Sequence, residues 1–185
     1  MKRWLKRNAI ALVAVALLTP VTIAVTFSTE WSSFLTTRAT QPIEVTEGRV
    51  ADFDGAEWRV ARTERIPADS RRGVEAGLPA GSDLVLVTVE VNPGNLSAED
   101  KSSFCTVRLG EYEGSSDTAV RSWGDAITAA IDYRIPEGVK NGCTTDIIEP
   151  YTFISTFVIA DDAGDNLGVL LEVPDQLPRY LLLRL

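Results

Sequence analysis

The feature that most constrains this chain is a run without charge close to its start. No charged residue occurs from Asn8 to Thr29, and four basic residues lie within the first seven positions. A helix needs roughly 20 apolar residues to cross the hydrocarbon core of a membrane, and flanking Lys and Arg favour the cytoplasmic side. The sequence therefore predicts a cytoplasmic flank at 1–7 and a transmembrane signal anchor at 8–29, with Trp31 at the far interface.

A cleaved secretory signal peptide is the second interpretation of the same run. Such peptides have an apolar core of about 7–15 residues, which is shorter than this one, but Thr22–Ala24 and Thr26–Ser28 are weak candidate cleavage sites. Both interpretations place everything after Glu30 outside the cytoplasm. We therefore expect a single-pass protein of the cell membrane, with a linker at 30–42 and one extracytoplasmic domain at 43–185.

The charge of the chain is divided unevenly. All 26 Asp and Glu residues occur at Glu30 or later, and the part from Asn8 onward carries 14 basic against 26 acidic residues, a net charge of −12. Phosphate binding needs clustered Lys and Arg, and an anionic lipid surface repels an acidic domain. We therefore expect no nucleic-acid partner for this domain, and its acidity favours solubility and cationic partners.

The chain has two cysteines, Cys105 and Cys143, and no histidine. Cysteine pairs outside the cytoplasm usually form disulfides. Two cysteines without histidine make a poor zinc site, and their spacing is not that of a C-x-x-C redox motif. We therefore predict a structural disulfide between them. The missing histidine also removes the commonest acid–base group at neutral pH.

After the linker, short apolar segments alternate with turn residues. Asp54-Gly55 separates two such segments and favours a two-residue hairpin, because both turn positions need positive φ. The clearest strand is 83–91, in which four valines at alternate positions share one face. The full set of expected strands is 43–53, 56–66, 83–91, 103–112, 118–123, 151–160, 167–173 and 179–185, with 126–135 as a strand or a short helix, and with loops at 67–82 and 138–150.

Seven or eight strands at regular spacing, without long helices between them, favour two packed layers of antiparallel sheet. The predicted fold is an all-β ectodomain, an immunoglobulin-like antiparallel β-sandwich, preceded by one N-terminal transmembrane helix. A closed antiparallel barrel is the alternative architecture.

Several motifs are similar to those of a known group of proteins. They are Gly-x-x-Trp-x-Val at Gly55–Val60, the Leu-Val-Leu-Val-Thr-Val-Glu-Val strand, a Cys-x-Val-x-Leu strand that begins at Cys105, and the alternating leucines of the last strand. With the basic N-terminus and the apolar run, they resemble small membrane-anchored, immunoglobulin-like extracytoplasmic proteins of Gram-positive bacteria, mostly of unknown function. The resemblance covers about residues 43–185 and implies no catalytic residues. Many of those proteins are lipoproteins, and this chain departs from them because it lacks a cysteine for lipidation.

The search for catalytic and binding motifs gives few candidates. The sequence contains no Gly-x-Ser-x-Gly elbow, P-loop or dinucleotide fingerprint, and we predict no catalytic residue and no cofactor. The densest group of oxygen ligands is Asp161, Asp162 and Asp165 with Asn166, which are weak candidates for Ca²⁺. Acidic turns between strands are common, because Asp and Asn fit turn geometry. We therefore predict no metal site.

The expected function is that of a non-enzymatic, membrane-anchored extracytoplasmic module that binds a protein of the cell envelope. Loops 67–82 and 113–150 are the longest and are the expected contact surfaces. Trp58 is expected in the core and Trp123 on the surface, where aromatic residues favour interfaces. Two alternatives stay open. One is a module that binds Ca²⁺ or a small ligand through 161–166, and the other is a cell-wall hydrolase with an unrecognised carboxylate pair.

Overall fold

The structure is a computed structural model that describes residues 2–94, 105–126, 131–144, 147 and 149–185. The chain divides into two compact units, Met1–Arg38 and Ala39–Leu185. The first unit is helical and the second is built from strands. Each is described by itself below.

The first unit consists of helix α1, Lys2–Arg7, and helix α2, Ala9–Thr36. Within the described part of the chain, α2 is the helix that is long and apolar enough to cross a membrane. Helix α2 continues for about two turns past residue 29 into the expected linker, so the helix is longer than the predicted span, whose bounds stay a prediction. The end of an apolar run is not the end of a helix. No Pro or Gly interrupts the chain between Pro20 and Pro42, and Trp31 stacks on Phe34 with ring centroids 6.0 Å apart.

The second unit forms two five-stranded sheets packed face to face. Sheet A has the order β1-β10-β9-β5-β6 and sheet B has the order β2-β3-β4-β8-β7. The strand bounds are β1 Gln41–Val45, β2 Ala51–Phe53, β3 Ala56–Pro67, β4 Ser82–Asn92, β5 Thr106–Tyr112, β6 Ala119–Gly124, β7 Lys140–Asn141, β8 Tyr151–Ala160, β9 Leu167–Glu172 and β10 Arg179–Arg184. Helix α3, Arg71–Glu75, and a 3₁₀ turn, Pro174–Gln176, lie between strands. The prediction of a β-sandwich is confirmed, and the described strands form two separate sheets rather than one closed barrel.

The strand directions correct the expectation of a purely antiparallel fold. β1 pairs with β10 in parallel and β7 pairs with β8 in parallel, while the other pairs are antiparallel. The expected strand 43–53 is also two strands in different sheets, since β1 belongs to sheet A and β2 to sheet B. Gly48, with φ of +73°, lies in the connection between them. A left-handed residue at that position ends the first strand and lets the chain cross between the layers.

The hairpin predicted from Asp54-Gly55 is confirmed. β2 pairs with β3 through Ala51 opposite Trp58 and Phe53 opposite Ala56. Asp54 has φ of +52° and Gly55 has φ of +65°, as a two-residue turn of this kind requires. The indole N–H of Trp58 donates to the carbonyl oxygen of Phe53 at 2.9 Å, so the hairpin also orients the largest core side chain.

The main hydrophobic core lies between the sheets. The four alternate valines of β4 point into it, as predicted, together with Leu109 of β5, Phe153 and Phe157 of β8 and Leu181 of β10. Trp58 is 1% exposed, which confirms that it is a core residue. The residues at alternate positions of the sequence are therefore the ones on the strand face that points into the core.

A second core lies on the outer face of sheet B. Leu84, Leu86 and Ile154 project from the strands and pack with Ile131, which comes from the chain beyond β6. The segments 67–82 and 131–139 cover this half of the sheet, and the amide of Asp132 donates to the carbonyl oxygen of Ala76 at 2.9 Å, which joins them. These two segments therefore serve first as cover for the sheet, and the expectation that their outward faces contact a partner stays a prediction.

Two predictions between β6 and β8 need comment. Residues 127–130 lie outside the described part of the chain, and 131–134 are turn and irregular backbone, so this part of 126–135 is neither strand nor helix. The loop expected at 138–150 contains the two-residue strand β7. This strand is too short to be detected from an alternating pattern, because its two residues span a single period and nothing repeats.

The predicted disulfide is present between Cys105 and Cys143, whose Cα atoms are 5.6 Å apart. Cys105 directly precedes β5 of sheet A and Cys143 follows β7 of sheet B. Both side chains pack against the main core. The disulfide therefore ties the two sheets together near their edge strands, β6 of sheet A and β7 of sheet B.

A third, smaller apolar cluster lies on the outer face of sheet A, around Tyr112, Tyr180 and Leu182. The ring of Tyr112 lies across Gly110, where an added Cβ would be only 2.7 Å from the tyrosine hydroxyl oxygen. The guanidinium carbon of Arg184 is 4.3 Å from the centre of the same ring. Burial raises the pKa of Tyr112 to about 12. Gly110 is therefore required by close packing rather than by its backbone conformation.

Candidate functional site

The half of the outer face of sheet B that the described loops, 67–82 and 131–139, do not cover forms a shallow groove of about 390 Å³. We call it the sheet B groove. Its floor is a set of polar side chains from three adjacent strands, namely Glu57 and Arg59 of β3, Glu90 and Asn92 of β4, and Thr152 of β8. Its walls are formed by Val50, Pro150 and Tyr151. The volume of the groove falls within the usual range of ligand pockets, about 300–1,000 Å³.

The floor is held in place by hydrogen bonds across the strands. The strand register puts Glu57 opposite Asn92 and Arg59 opposite Glu90. The amide nitrogen of Asn92 donates to Glu57 Oε2 at 3.0 Å, and the Nε of Arg59 donates to Glu90 Oε2 at 3.1 Å. Paired side chains on neighbouring strands restrict each other's rotamers. The groove therefore presents an ordered array of donors and acceptors to a binding partner.

The charge of this region is slightly acidic. Within the groove, the two carboxylates Glu57 and Glu90 outnumber the single guanidinium of Arg59. On the same outer face, Asp52 of β2 lies directly opposite Glu57 in the strand register. Like charges in directly opposed positions destabilise a sheet, so a cationic or hydrogen-bond-donating partner is favoured here over an anionic one.

The weak Ca²⁺ candidates Asp161, Asp162 and Asp165 lie in the turn between β8 and β9. Two arginines bind oxygen atoms of this turn. The Nε of Arg65 is 2.7 Å from Asp83 Oδ2. Its Nη2 donates to the carbonyl oxygens of Ala163 at 2.9 Å and Asp161 at 3.3 Å, and its Nη1 is 3.3 Å from Asp165 Oδ1. One guanidinium thus fixes one side of the turn.

A second arginine fixes the other side of the turn. The Nη1 of Arg121, on β6, donates to Asp162 Oδ1 at 2.7 Å, and its Nε pairs with Glu111. Glu111 also accepts from the amide of Gly164 at 2.8 Å. The hydrogen bond from Arg121 holds the pKa of Glu111 below its usual value. In the part of the chain that the structure describes, no group of three or more Cys, Asp or Glu side chains is arranged to hold a metal ion.

The end of the sandwich near the disulfide contains another polar arrangement. Asp125 follows β6, and its Oδ1 accepts from the amide of Thr156 at 2.8 Å and from the hydroxyl of Thr156 at 3.1 Å. Partial burial raises the pKa of Asp125, and the hydrogen bonds from Thr156 oppose that rise. The carboxylate accepts the backbone hydrogen bond that a neighbouring strand would otherwise accept at this edge of β8. This is a structural role.

The structure also places the two surface features of the sandwich loops. Trp123 is half-buried against the main core and lies beside the guanidinium of Arg121, so the expectation that it is exposed is wrong. Arg71 pairs with Glu75 and Arg72 pairs with Glu64 on the surface.

Sequence reasoning did not identify the sheet B groove, although one signal for it was present. The outer face of β4 changes along the strand from Leu84 and Leu86 to Thr88 and Glu90. That change marks where the covering loops stop. The position of Arg65 and Arg121 on either side of one turn could not be read from the sequence, because it depends on which strands lie above each other in the two sheets.

No protein-family model and no curated protein matches this chain. Among solved structures, a Bacillus subtilis protein described as a lipoprotein aligns with 75% of this chain at 14% identity and a TM-score of 0.40. The aligned part is 38% of that protein's chain. An uncharacterized β-sandwich protein of Clostridium difficile aligns with 80% of this chain and 96% of its own, at 12% identity and a TM-score of 0.40. Similarity at this level assigns neither a family nor a function.

Proposed function

We propose that this chain is a non-enzymatic, membrane-anchored module whose β-sandwich lies outside the cytoplasm and binds a protein of the cell envelope through the sheet B groove. The observation that carries the proposal is the division of one sheet face. Among the described residues, loops cover its apolar half and leave its polar half open, with side chains joined by cross-strand hydrogen bonds. A typical protein interface contains about ten direct hydrogen bonds, and the groove offers donors and acceptors for such bonds.

The proposed location rests on the helix and the disulfide. Helix α2 has the length and composition of a single membrane span, and the basic residues before it favour a cytoplasmic N-terminus. A disulfide is stable in the oxidising space outside the cytoplasm. We also propose that the sandwich is of the immunoglobulin-like type, and its two packed sheets with mostly antiparallel strands support this.

Location is tested with a membrane-impermeant maleimide on intact cells. The two native cysteines form one disulfide, so a cysteine introduced at exposed Ser122 of β6 is the reactive thiol, and a cysteine introduced at Lys6 is the matched control. We expect labelling of Ser122→Cys on intact cells and labelling of Lys6→Cys only after lysis. The reverse pattern would contradict the proposed orientation.

Binding through the groove is tested with a photo-crosslinking amino acid placed in living cells. The probe replaces Thr152 on the groove floor, and the control probe replaces Ser122 on sheet A. We expect one discrete crosslinked envelope protein from the groove position and none from the control. Equal patterns from the two positions, or no product from the groove, would remove the support for this site.

The calcium and hydrolase alternatives remain predictions from the sequence. The carboxylates of Asp162 and Asp165 are engaged by arginines, and no observation in the described residues favours a cation or a wall polymer over a protein partner. A calcium-dependent rise in melting temperature would favour the first alternative. Wall hydrolysis that disappears on neutralising a single carboxylate would favour the second.

A further inference from the structure

The edge of sheet B offers a second surface, independent of the groove. β2 pairs with β3 over three positions, with Ala51–Phe53 opposite Ala56–Trp58, whereas β3 continues to Pro67. Among the described residues, no strand pairs with β3 on that side beyond Trp58. Within the described part of the chain, the edge of β3 from Arg59 onward is therefore bare, with backbone donors and acceptors available for pairing.

The exposure of the residues agrees with a bare edge. Ala61, Arg62 and Thr63 are three consecutive exposed residues. In a strand enclosed within a sandwich, alternate residues would be buried. The side chain of Arg62 is 71% exposed, and its closest ion pair in the described structure is a 3.6 Å contact with Glu64. Arg62 therefore has donors that can reach a partner.

The order of charges along this edge is self-complementary. The sequence Arg62-Thr63-Glu64 reads positive, neutral, negative. Glu64 also pairs with Arg72 of its own chain, so a second arginine from a partner would join an existing ion pair. If a second copy pairs in antiparallel fashion about a two-fold axis at Thr63, Arg62 of each copy lies opposite Glu64 of the other. Opposite charges in directly opposed positions stabilise a strand pair, and like charges destabilise it. The two-fold axis generates the Arg62–Glu64 pair twice, once from each copy, as in any two-fold symmetric interface.

The same features oppose other modes of pairing. Charged residues and bulges on edge strands prevent indiscriminate association, and β3 carries a bulge at Ala61, between Val60 and Arg62. Pro67 lacks a backbone N–H and limits pairing at the other end of the strand. A register shift by one residue would place Arg62 opposite Thr63 and lose both charge pairs. The edge is therefore selective for one register with itself.

We propose that this chain self-associates in the membrane through the β3 edge, with Thr63 on the two-fold axis. The occupant of the edge is a second copy of the chain. The paired stretch is short, so the association is weak in dilute solution and depends on the raised local concentration that a shared membrane provides.

The first test is disulfide trapping of the full-length protein in membranes under mild oxidation. Directly opposed residues in antiparallel strands have Cα atoms about 4.5–5.5 Å apart, within the range of a disulfide, about 4.4–6.8 Å. We expect Thr63→Cys to form a covalent dimer and Ser122→Cys, which lies on the exposed edge strand of the other sheet, to form little. Equal dimer from both variants, or none from Thr63→Cys, would overturn the proposal.

The second test reverses one charge in each of two chains and reads out the trapped dimer in the Thr63→Cys background. Arg62→Glu alone and Glu64→Arg alone each place like charges across the two-fold, so dimer should fall about tenfold in each. Co-expression of the two variants places opposite charges across the interface and should restore the mixed dimer. Failure of the mixture to recover, with each variant folded by its melting curve, would overturn the proposal.

Discussion

Removing the disulfide is the sharpest test of how the two sheets are held together. Cys105 and Cys143 are 38 positions apart, so the bond closes a loop of about 39 residues in the unfolded chain. The chain-entropy relation gives a stabilisation of about 4 kcal/mol at 25 °C for a loop of that length. A domain of this size is stable by only about 5–15 kcal/mol. The bond therefore supplies a large share of the free energy of unfolding.

We expect Cys105→Ser to lower the melting temperature of the sandwich by roughly 10–15 °C, since 1 kcal/mol corresponds to about 2–4 °C in a domain of this size. The measurement is thermal unfolding of the full-length protein in a mild detergent, followed by tryptophan fluorescence. Trp58 is fully buried and reports on the sandwich, whereas Trp4 and Trp31 are exposed on the helical unit and change little.

Two controls isolate the covalent bond from the side-chain change. The double variant Cys105→Ser/Cys143→Ser should melt at the same temperature as either single variant, because all three lack the same bond. A reducing agent should lower the melting temperature of the unmodified chain and leave the variants unchanged. A melting temperature that is the same with and without the disulfide would refute the reasoning, since the sheets would then be held by packing alone.

Three further predictions concern single side chains. Gly110→Ala should destabilise the sandwich by about 1–3 kcal/mol because the added methyl group has no space. Gly124→Ala, with nothing within 4 Å of the added Cβ, should have little effect. Equal chemical-denaturation midpoints for the two variants would contradict this. The pKa of Asp125 is raised in the folded state, so the folded chain binds this proton more readily and stability falls as pH rises through that pKa. Asp125→Asn should remove that part of the pH dependence of the melting temperature, and an unchanged pH profile would count against the assignment. Arg65→Met leaves Asp83, which is 6% exposed, as a buried carboxylate without its ion pair and should cost about 3–5 kcal/mol; urea unfolding measures this, and a cost below 1 kcal/mol would show that water replaces the arginine.

The strands of the sandwich could be predicted because apolar residues recur at every second position along them. β4, β8 and β10 each direct alternate side chains into the main core, and that period of two is visible in the sequence. The Asp54-Gly55 hairpin was equally readable, because its turn depends on two adjacent residues. Local rules of this kind need no knowledge of the rest of the fold.

The features that could not be predicted depend on contacts distant in sequence. The separation of 43–53 into β1 and β2 follows from which layer each half joins. The covering of Leu84 and Leu86 depends on the segment around Ile131, some 45 residues later in the chain. The sheet B groove exists only where that cover stops. Its location is therefore a property of the tertiary structure, even though the polar end of β4 hinted at it.

The parallel pairing of β1 with β10 has a mechanical consequence. The two strands are joined through five register pairs, from Gln41 opposite Arg179 to Val45 opposite Leu183. In parallel strands, pulling the start of one against the end of the other slides them lengthwise, so the backbone hydrogen bonds between them bear the load together. A hairpin pulled open from its free ends breaks its bonds one after another. We expect a higher rupture force in single-molecule pulling between Gln41 and Arg184 than between the two ends of the β2–β3 hairpin, and similar forces would contradict this. The pair would make the sandwich resistant to tension applied along β1, the strand that follows the helical unit.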